Sequence, residues 1–272
     1  MLIKTTQLKQ YTALIVSFLF LSVHALPEFV VVVPSYNNEQ WCKANLDSIM
    51  QQTYPHFEVI YINDRSADKT KIIVDEYVRN CPLKNQITVW HNTKRLGSLH
   101  NIYTAVHSCA NNKIIVLVDG DDMLSSNTVL ERVAQAYRKA WVTYGQYANS
   151  DDGQLGFCSE YPKHIIKNNL FRKDIWRVSH VKTFYAGLFK QIKKQDLLYK
   201  GDFFTMTGDV AFMLPMIEMA SRGHIRCIKD SLYIYNRSNS ISDYTVNKKL
   251  QAHLATVIRS RKAYSPLNKL PF

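Results

Sequence analysis

The chain has few residues that interrupt regular structure. Among its 272 residues there are only 9 glycines and 8 prolines. So small a share excludes a collagen-like or low-complexity chain. Hydrophobic residues make up 46% of the sequence, which also excludes an intrinsically disordered chain. The length is sufficient for one large domain, or for a domain with a small appendage, that buries its own core.

Cysteine is scarce, and its spacing fits neither a zinc site nor a disulfide framework. The five cysteines are Cys42, Cys81, Cys109, Cys158 and Cys227. An odd number argues against a fully paired set of disulfides, and the absence of Cys-x-x-Cys spacing argues against a structural zinc site. We therefore predict free and mostly buried thiols.

Acidic residues are outnumbered by basic ones, 22 against 34, which gives a formal net charge of +12. Such an excess indicates a polyanionic neighbour, for which an anionic membrane surface, lipid-linked phosphates and acidic glycans are candidates. Lysine and arginine are spread along the chain, and no zinc-finger, RNA-recognition or helix-turn-helix pattern occurs. Nucleic acid is therefore not an expected partner.

The N-terminal segment differs from the rest of the chain. Its apolar run over 11–23 follows Lys4 and Lys9 and is shorter than the ~20 residues that a spanning helix needs. Residues 1–25 are predicted to be a secretory signal peptide, with a short uncleaved anchor or an apolar extension as alternatives. The expected location is export or membrane association through this segment, and association with the cytoplasmic face of a membrane stays open.

Strand and helix patterns alternate in the first half of the remaining chain. The continuous apolar run over 29–33 indicates a strand buried on both faces. Further strands are predicted over 57–62, 87–90, 113–118 and 141–147, and helices over 39–52, 68–80, 98–109 and 125–140. This alternation predicts an α/β fold whose mostly parallel sheet is flanked by helices.

The second half of the chain has a less regular pattern. Residues 149–177 are predicted to be a long excursion with one short helix. After it we predict helices over 181–194 and 208–222, a short β pair over 225–228 and 232–235, and a basic C-terminal helix over 244–263.

The most specific local signal is Asp119-Gly120-Asp121-Asp122, which directly follows a predicted buried strand. Three carboxylates in four residues repel one another unless a cation lies between them. Oxygen ligands at such a strand end suit Mg²⁺ or Mn²⁺, whereas Asp-Gly is also a common turn. Ligands of parallel sheets bind beyond the carboxyl ends of the strands, so these side chains lie where a ligand is expected.

Four motifs follow the first four strands in order. They are Pro34-Ser35-Tyr36-Asn37-Asn38-Glu39, Asn63-Asp64-Arg65-Ser66-Ala67-Asp68-Lys69-Thr70, Asn92-Thr93-Lys94-Arg95-Leu96-Gly97 and Asp119-Gly120-Asp121-Asp122. With an acidic residue opening a later helix, the series resembles the family 2 glycosyltransferases of the GT-A fold over roughly 29–240. Two positions depart from the family pattern: Asn63 replaces an aspartate, and His100-Asn101 replaces Arg-Asn.

The resemblance implies a single Rossmann-like GT-A domain and an enzyme of the hexosyltransferase type. Such an enzyme transfers a sugar with inversion from a nucleotide-sugar donor to a hydroxyl of a glycan, lipid-linked or protein acceptor. A UDP-sugar is the first candidate for the donor here. The resemblance implies Mn²⁺ or Mg²⁺ as the cofactor. The resemblance implies donor binding by Pro34, Ser35, Tyr36, Asn37, Glu39, Asp64, Arg95, Gly97, Asp119 and Asp122, and metal binding by Asp121 and Asp119.

The acceptor side is expected to supply a base that takes a proton from the acceptor hydroxyl. The resemblance assigns this role to Asp209, which opens the helix over 208–222, although an aspartate there is more often a helix cap. Asp202 is the second candidate for the base. His180 and Lys182 are candidates for contacts with phosphate or acceptor, or they are solvated side chains.

The resemblance divides 26–272 into three parts. Residues 29–147 form the nucleotide-sugar-binding half, 148–243 the acceptor-side half, and 244–272 a C-terminal helix and tail. The alternative function is a catalytically degenerate sugar- or nucleotide-binding protein on the same fold.

Overall fold

Strands and helices alternate along the computed structural model, which describes residues 26–239 and 247–272. In these residues the strands are β1 Phe29–Ser35, β2 Phe57–Asn63, β3 Ile87–His91, β4 Ile114–Leu117, β5 Met123–Leu124, β6 Val142–Asn149, β7 Lys182–Tyr185, β8 Leu198–Tyr199, β9 Asp202–Phe203 and β10 Ile225–Tyr235. The α-helices are α1 Cys42–Met50, α2 Thr70–Asn80, α3 Ser98–Ser108, α4 Val129–Ala136, α5 Lys163–Lys167, α6 Ala186–Phe189, α7 Gly208–Met219 and α8 Lys248–Ser260.

Within the described chain, one sheet of 8 strands has the order β3-β2-β1-β4-β7-β6-β10-β5. Strand β1 runs parallel to β2 and β4, and β6 runs parallel to β10. Strand β7 is antiparallel to both of its neighbours, β4 and β6. The predicted α/β fold with a mostly parallel sheet flanked by helices is confirmed.

Strand β1 lies near the middle of the sheet, and all of its residues are buried. Because side chains alternate across a strand, Val30 and Val32 enter one core cluster, while Val31 and Val33 enter the other. Burial of a valine side chain contributes on the order of 1.5–3 kcal/mol. The unbroken apolar run is therefore explained by helices that cover both faces.

The two faces carry different helices. Helices α3, α6, α7 and α8 pack with Val30 and Val32, and α1 and α4 pack on the opposite face. Helix α7 is buried throughout 210–219, so its one charged residue there, Glu218, needs a partner. Arg172 supplies two hydrogen bonds to the Glu218 carboxylate, at 2.6 and 3.0 Å, and its Nη1 also donates to the carbonyl of Ile258 in α8.

Two predicted elements of the second half are wrong. The predicted helix over 181–194 is instead strand β7 followed by the short helix α6. Strand pairing overrides the helical spacing of apolar residues there, because Thr183 and Phe184 pair with residues of both β4 and β6. The predicted β pair over 225–235 is one strand, β10, in which the residues around Lys229 and Asp230 form an irregularity in the pairing with β6 rather than a turn.

The predicted location must also be corrected. In 26–239 and 247–272 no helix combines the length and the apolar character required to cross a membrane. The prediction of export or membrane association through the N-terminal segment is contradicted on this ground. The segment over 1–25, predicted to be a signal peptide or an anchor, lies outside the described residues.

Candidate functional site

A cavity of about 490 Å³ opens at the carboxyl ends of β1 and β2, beside the start of α3. Six of the predicted donor-binding residues line it: Pro34, Ser35, Tyr36, Asp64, Arg95 and Gly97. The cavity is also lined by seven residues that the sequence motifs did not assign to the donor: Leu96, Ser98, His100, Asn101, Phe203, Phe204 and Thr205. Phe203 belongs to β9 in the second half of the chain, and no motif in the sequence marks this segment as a neighbour of the first strand.

Asp64 at the end of β2 holds the loop that follows β3. Its Oδ1 accepts hydrogen bonds from Nδ2 of Asn92 and from the amide of Leu96, and its Oδ2 accepts one from the amide of Gly97 at 2.8 Å. Burial alone would raise the pKa of Asp64, but these hydrogen bonds to the carboxylate together hold it below its usual range. Gly97 has a φ of +86°, a conformation that a side chain disfavours.

The loops after β1 and β4 approach each other so closely that glycine is required between them. The amide of Gly120 donates to the carbonyl of Pro34 at 3.1 Å. A Cβ on Gly120 would lie 2.6 Å from the Cβ of Ser35 and 2.7 Å from Nδ2 of Asn38. The Ser35 hydroxyl is itself held by hydrogen bonds from Tyr61 and Asn38. This contact places the acidic motif behind Ser35, which lines the cavity, although Asp119 and Asp122 do not line the cavity themselves.

Two of the predicted donor-binding residues contact the loop after β2 instead. Oδ1 of Asn37 accepts a hydrogen bond from the amide of Ala67, and Oε2 of Glu39 accepts one from the amide of Lys69. Neither Asn37 nor Glu39 lines the cavity formed by the described residues. Their positions give them a structural role, because they join the first two loops of the site.

Tyr36 and Arg95 lie on opposite loops at the mouth of the cavity. The guanidinium carbon of Arg95 lies 3.7 Å from the ring centroid of Tyr36, which is a close cation–π contact. The Arg95 side chain is exposed, so its donors are accessible to a ligand. A planar cation with five N–H donors suits phosphate oxygens.

The acidic motif after β4 holds one deeply buried carboxylate. Asp122 is only 1% exposed, and it accepts hydrogen bonds from the Tyr233 hydroxyl and from the amide of Asn236. Burial, followed by the charges of Asp121 and Asp119, raises the pKa of Asp122 well above its usual range. Burial also raises the pKa of Asp121, whose Oδ2 accepts a hydrogen bond from Nδ2 of Asn239.

His180 completes a cluster with this motif. One ligand atom from each of Asp119, Asp122 and His180 lies within 4.8 Å of the others. The imidazole stacks on the ring of Tyr233 at 4.5 Å. Burial, followed by the charge of Lys182, lowers the pKa of His180 well below its usual range, which favours the neutral form that binds metals. Carboxylates beside a neutral imidazole fit a divalent cation.

The position of Asp209 departs from that of a helix cap. The residue preceding α7 is Thr207, and Asp209 lies in the first turn of the helix with its Oδ1 accepting from the amide of Val210. Its Oδ2 lies 3.7 Å from Nζ of Lys182. Lys182 is 5% exposed, and its Nζ lies 3.3 Å from Nε2 of His180. The acidic motif and Asp209 are thus connected through His180 and Lys182.

The family model of glycosyl transferase family 2 matches residues 30–198, which is more than half of the chain. The chain belongs to glycosyl transferase family 2. The glycosyltransferase GlyG of Streptococcus pneumoniae is 28% identical over 219 residues, covering 76% of this chain and 70% of GlyG. The uncharacterized glycosyltransferase EpsJ of Bacillus subtilis is 23% identical over 251 residues, covering 88% of this chain and 70% of EpsJ.

Solved structures show the same fold. TarS of Staphylococcus aureus, in complex with UDP-GlcNAc, has a TM-score of 0.55 and 20% identity, and the match covers 78% of this chain and 59% of that of TarS. The mannosyltransferase PcManGT of Pyrobaculum calidifontis, in complex with GDP-Man and Mn²⁺, has a TM-score of 0.54 and 22% identity over 87% of this chain. The predicted GT-A fold in a single domain and the predicted class of glycosyltransferase are confirmed for this family 2 chain.

Proposed function

We propose that this family 2 chain transfers a sugar with inversion from a nucleotide-sugar donor to a hydroxyl of a glycan, lipid-linked or protein acceptor. A UDP-sugar is the first candidate for the donor. The observation that carries the proposal is the connection from Asp119 through His180 and Lys182 to Asp209. At one end of this connection is a cluster that suits a metal bound to a diphosphate. At the other end is a carboxylate that suits a base.

The donor is assigned to the cavity at the ends of β1 and β2. Ser35 and Tyr36 line its nucleobase part, Asp64 receives a hydrogen bond from the base, and the exposed guanidinium of Arg95 contacts a donor phosphate. The contact of Asp122 with the donor that the sequence predicts is not part of this proposal, because Asp122 is buried and both of its oxygens accept hydrogen bonds within the protein. The complexes of TarS with UDP-GlcNAc and of PcManGT with GDP-Man support a nucleotide-sugar donor. Residues 29–147 then form the donor half, and 148–243 the acceptor-side half.

The base is assigned to Asp209. Inversion requires a single displacement, in which the acceptor hydroxyl attacks the anomeric carbon and loses its proton. The Asp209 side chain is 37% exposed, so an acceptor can reach it, whereas the Lys182 ammonium beside it is enclosed. Lys182 holds a positive charge between Asp209 and the acidic motif. A charge at this place stabilises a diphosphate as it leaves.

The divalent cation is assigned to the acidic motif. Asp119 belongs to the cluster with Asp122 and His180. Asp121, the second ligand that the sequence predicts, is not in that cluster but is next to Asp122 in the chain. The repulsion that the charges of Asp121 and Asp119 exert on the buried Asp122 supports a cation there, as does the Mn²⁺ in the PcManGT complex. When bound, Mn²⁺ or Mg²⁺ neutralises charge that develops on the diphosphate.

The test is donor binding followed by turnover. The full chain is heated with UDP-, GDP- and TDP-sugars, each with and without Mn²⁺. A donor at 100 times its Kd should stabilise the fold by about 2.7 kcal/mol, which raises the Tm by several degrees. Failure of every donor to raise the Tm would contradict the proposed site. Binding without release of free nucleotide in the presence of acceptors would favour the sugar- or nucleotide-binding protein.

A further inference from the structure

Two cysteines distant in the sequence lie side by side on the surface of the acceptor-side half. Sγ of Cys158, in the segment between β6 and α5, lies 3.4 Å from Sγ of Cys227 in β10. Both side chains are partly exposed. A disulfide requires the sulfur atoms to approach to about 2.0 Å, so a shortening of the Sγ–Sγ distance by about 1.4 Å would bring them within bonding distance.

The two sulfur atoms line a cavity that is open to small molecules. Its volume is about 300 Å³, and its other lining residues are Gln146, Ser159, Glu160 and Lys229. This volume is at the lower end of the range of cavities that bind small ligands. Neither cysteine lines the cavity assigned to the donor, so what is inferred here does not rest on the proposed sugar transfer.

The two thiols differ in acidity. The hydrogen bond that the two thiols share, in which either sulfur can donate, lowers the pKa of Cys227 against the opposing effect of burial. The same hydrogen bond, followed by burial, raises the pKa of Cys158. Because the thiolate is the reactive form of cysteine, Cys227 is the thiol that attacks first. Cys158 is in position to resolve the product.

We propose that Cys158 and Cys227 are a dithiol site that small disulfides of the glutathione class oxidise to an intramolecular disulfide. The Cys227 thiolate attacks one sulfur of the oxidant and releases one equivalent of its thiol, which leaves a mixed disulfide on Cys227. Cys158 then loses its proton and attacks the Cys227 sulfur, releasing the second equivalent. In total, the protein loses two electrons and two protons, and one oxidant molecule becomes two thiols.

The bond would join two parts of the acceptor-side half. It would attach the segment after β6, in which the carbonyl of Ser159 accepts from the Tyr144 hydroxyl, to strand β10. The other end of β10 carries Tyr233, whose hydroxyl donates to Asp122. Oxidation would therefore restrain a surface segment on a strand that also supports the acidic motif.

The experiment uses the reduced full chain, equilibrated with mixtures of reduced and oxidised glutathione and then unfolded and alkylated, so that the buried Cys42 also reacts. We expect oxidising mixtures to leave three alkylated cysteines of the five, and peptide mapping to find Cys158 joined to Cys227. Cys158→Ser should accumulate a mixed disulfide with glutathione on Cys227, because the resolving thiol is missing. Cys81→Ser, which removes a partly buried thiol elsewhere, should form the bond as the wild type does.

A second probe needs no variant. Phenylarsine oxide binds tightly only where two thiols can reach one arsenic atom, so the wild-type chain should bind one equivalent and be protected from alkylation at these two positions. The proposal is overturned if all five thiols stay reactive in oxidising mixtures, if a disulfide joins other cysteines, or if glutathione remains on Cys227 of the wild type.

Discussion

Lys182 and Leu117 occupy paired positions on the neighbouring antiparallel strands β7 and β4. Leu117 precedes Asp119 by two residues, so this register places the buried ammonium of Lys182 close to the start of the acidic motif. From the same position, Lys182 Nζ lies 3.7 Å from the carboxylate of Asp209 in α7. The strand that carries Lys182 is enclosed by β4 and β6, so the ammonium is fixed relative to both groups. Strand pairing thus fixes Lys182 relative to the strand that precedes the acidic motif, and Lys182 in turn contacts the proposed base.

Asp209→Asn should preserve donor binding and reduce the rate of sugar transfer by roughly two to four orders of magnitude, the scale of general base catalysis. The amide has nearly the shape of the carboxylate but cannot take the proton. Transfer is followed by release of nucleotide, and donor binding by calorimetry on the same preparation.

The matched control for that variant is Asp202→Asn. Asp202 lies in β9, is exposed, and was the second candidate for the base. It should retain nearly the wild-type rate. If Asp202→Asn lost most of the transfer rate and Asp209→Asn kept it, the base would be Asp202 and not Asp209.

Lys182→Met should lower the transfer rate by about 10²–10³-fold, the usual effect of removing one group that stabilises developing charge. The apolar replacement fits a position that is 5% exposed. In the double variant with Asp209→Asn, the loss should be smaller than the product of the two single losses, because contacting residues act as a unit. Strictly multiplicative losses would show that the two residues act independently.

Asp121→Ala should abolish the part of donor binding that depends on Mn²⁺, and EDTA should do the same to the wild type. The binding measurement requires no acceptor and no turnover, so it tests the metal assignment separately from the base. Glu76→Gln, on the exposed side of α2, is the control and should bind donor normally. Donor affinity that neither Asp121→Ala nor EDTA changes would contradict the metal assignment.

Asp64→Asn should destabilise the fold in a pH-dependent way. Because hydrogen bonds hold the folded pKa of Asp64 below its ordinary value of 3.8, the carboxylate contributes stability above that pH. This contribution is lost as the pH falls through the folded pKa. The difference in unfolding free energy between wild type and variant should be about 2 kcal/mol at pH 7 and should shrink below pH 3.8. A difference independent of pH would contradict this account.

Glu218→Gln should reduce the unfolding free energy by about 3–5 kcal/mol, because it leaves the buried Arg172 cation without a charged partner. Replacing both with methionine should restore part of the loss, since the apolar pair has no unpaired charge. The comparison is Asp47→Asn, which removes an exposed pair with Lys43 and should cost less than about 1 kcal/mol. Urea unfolding of all variants measures these differences, and equal costs at both sites would contradict the burial argument.

Much of the proposed donor side could be predicted from the sequence because its parts are local. The strand over 29–33 and the motifs at Asp64, Arg95 and Asp119 each depend on one strand and the loop that follows it. Parallel strands bring such loops to one edge, so their proximity follows from the alternation of strand and helix. The same reasoning assigned Asn37 and Glu39 to the donor, but a local motif does not show in which direction each side chain points.

The amino-acid sequence alone determined the alternation of strands and helices, the apolar central strand and the polar residues that follow each strand. These features depend on periodicity over only a few residues. Only the tertiary structure decided that the segment over 182–185 is a strand, that His180 joins the acidic motif, and that Cys158 meets Cys227. Each of these depends on pairing between segments distant in the chain. The energies of such pairings are absent from any local pattern, so the residues of the proposed acceptor side could be brought together only by the tertiary structure.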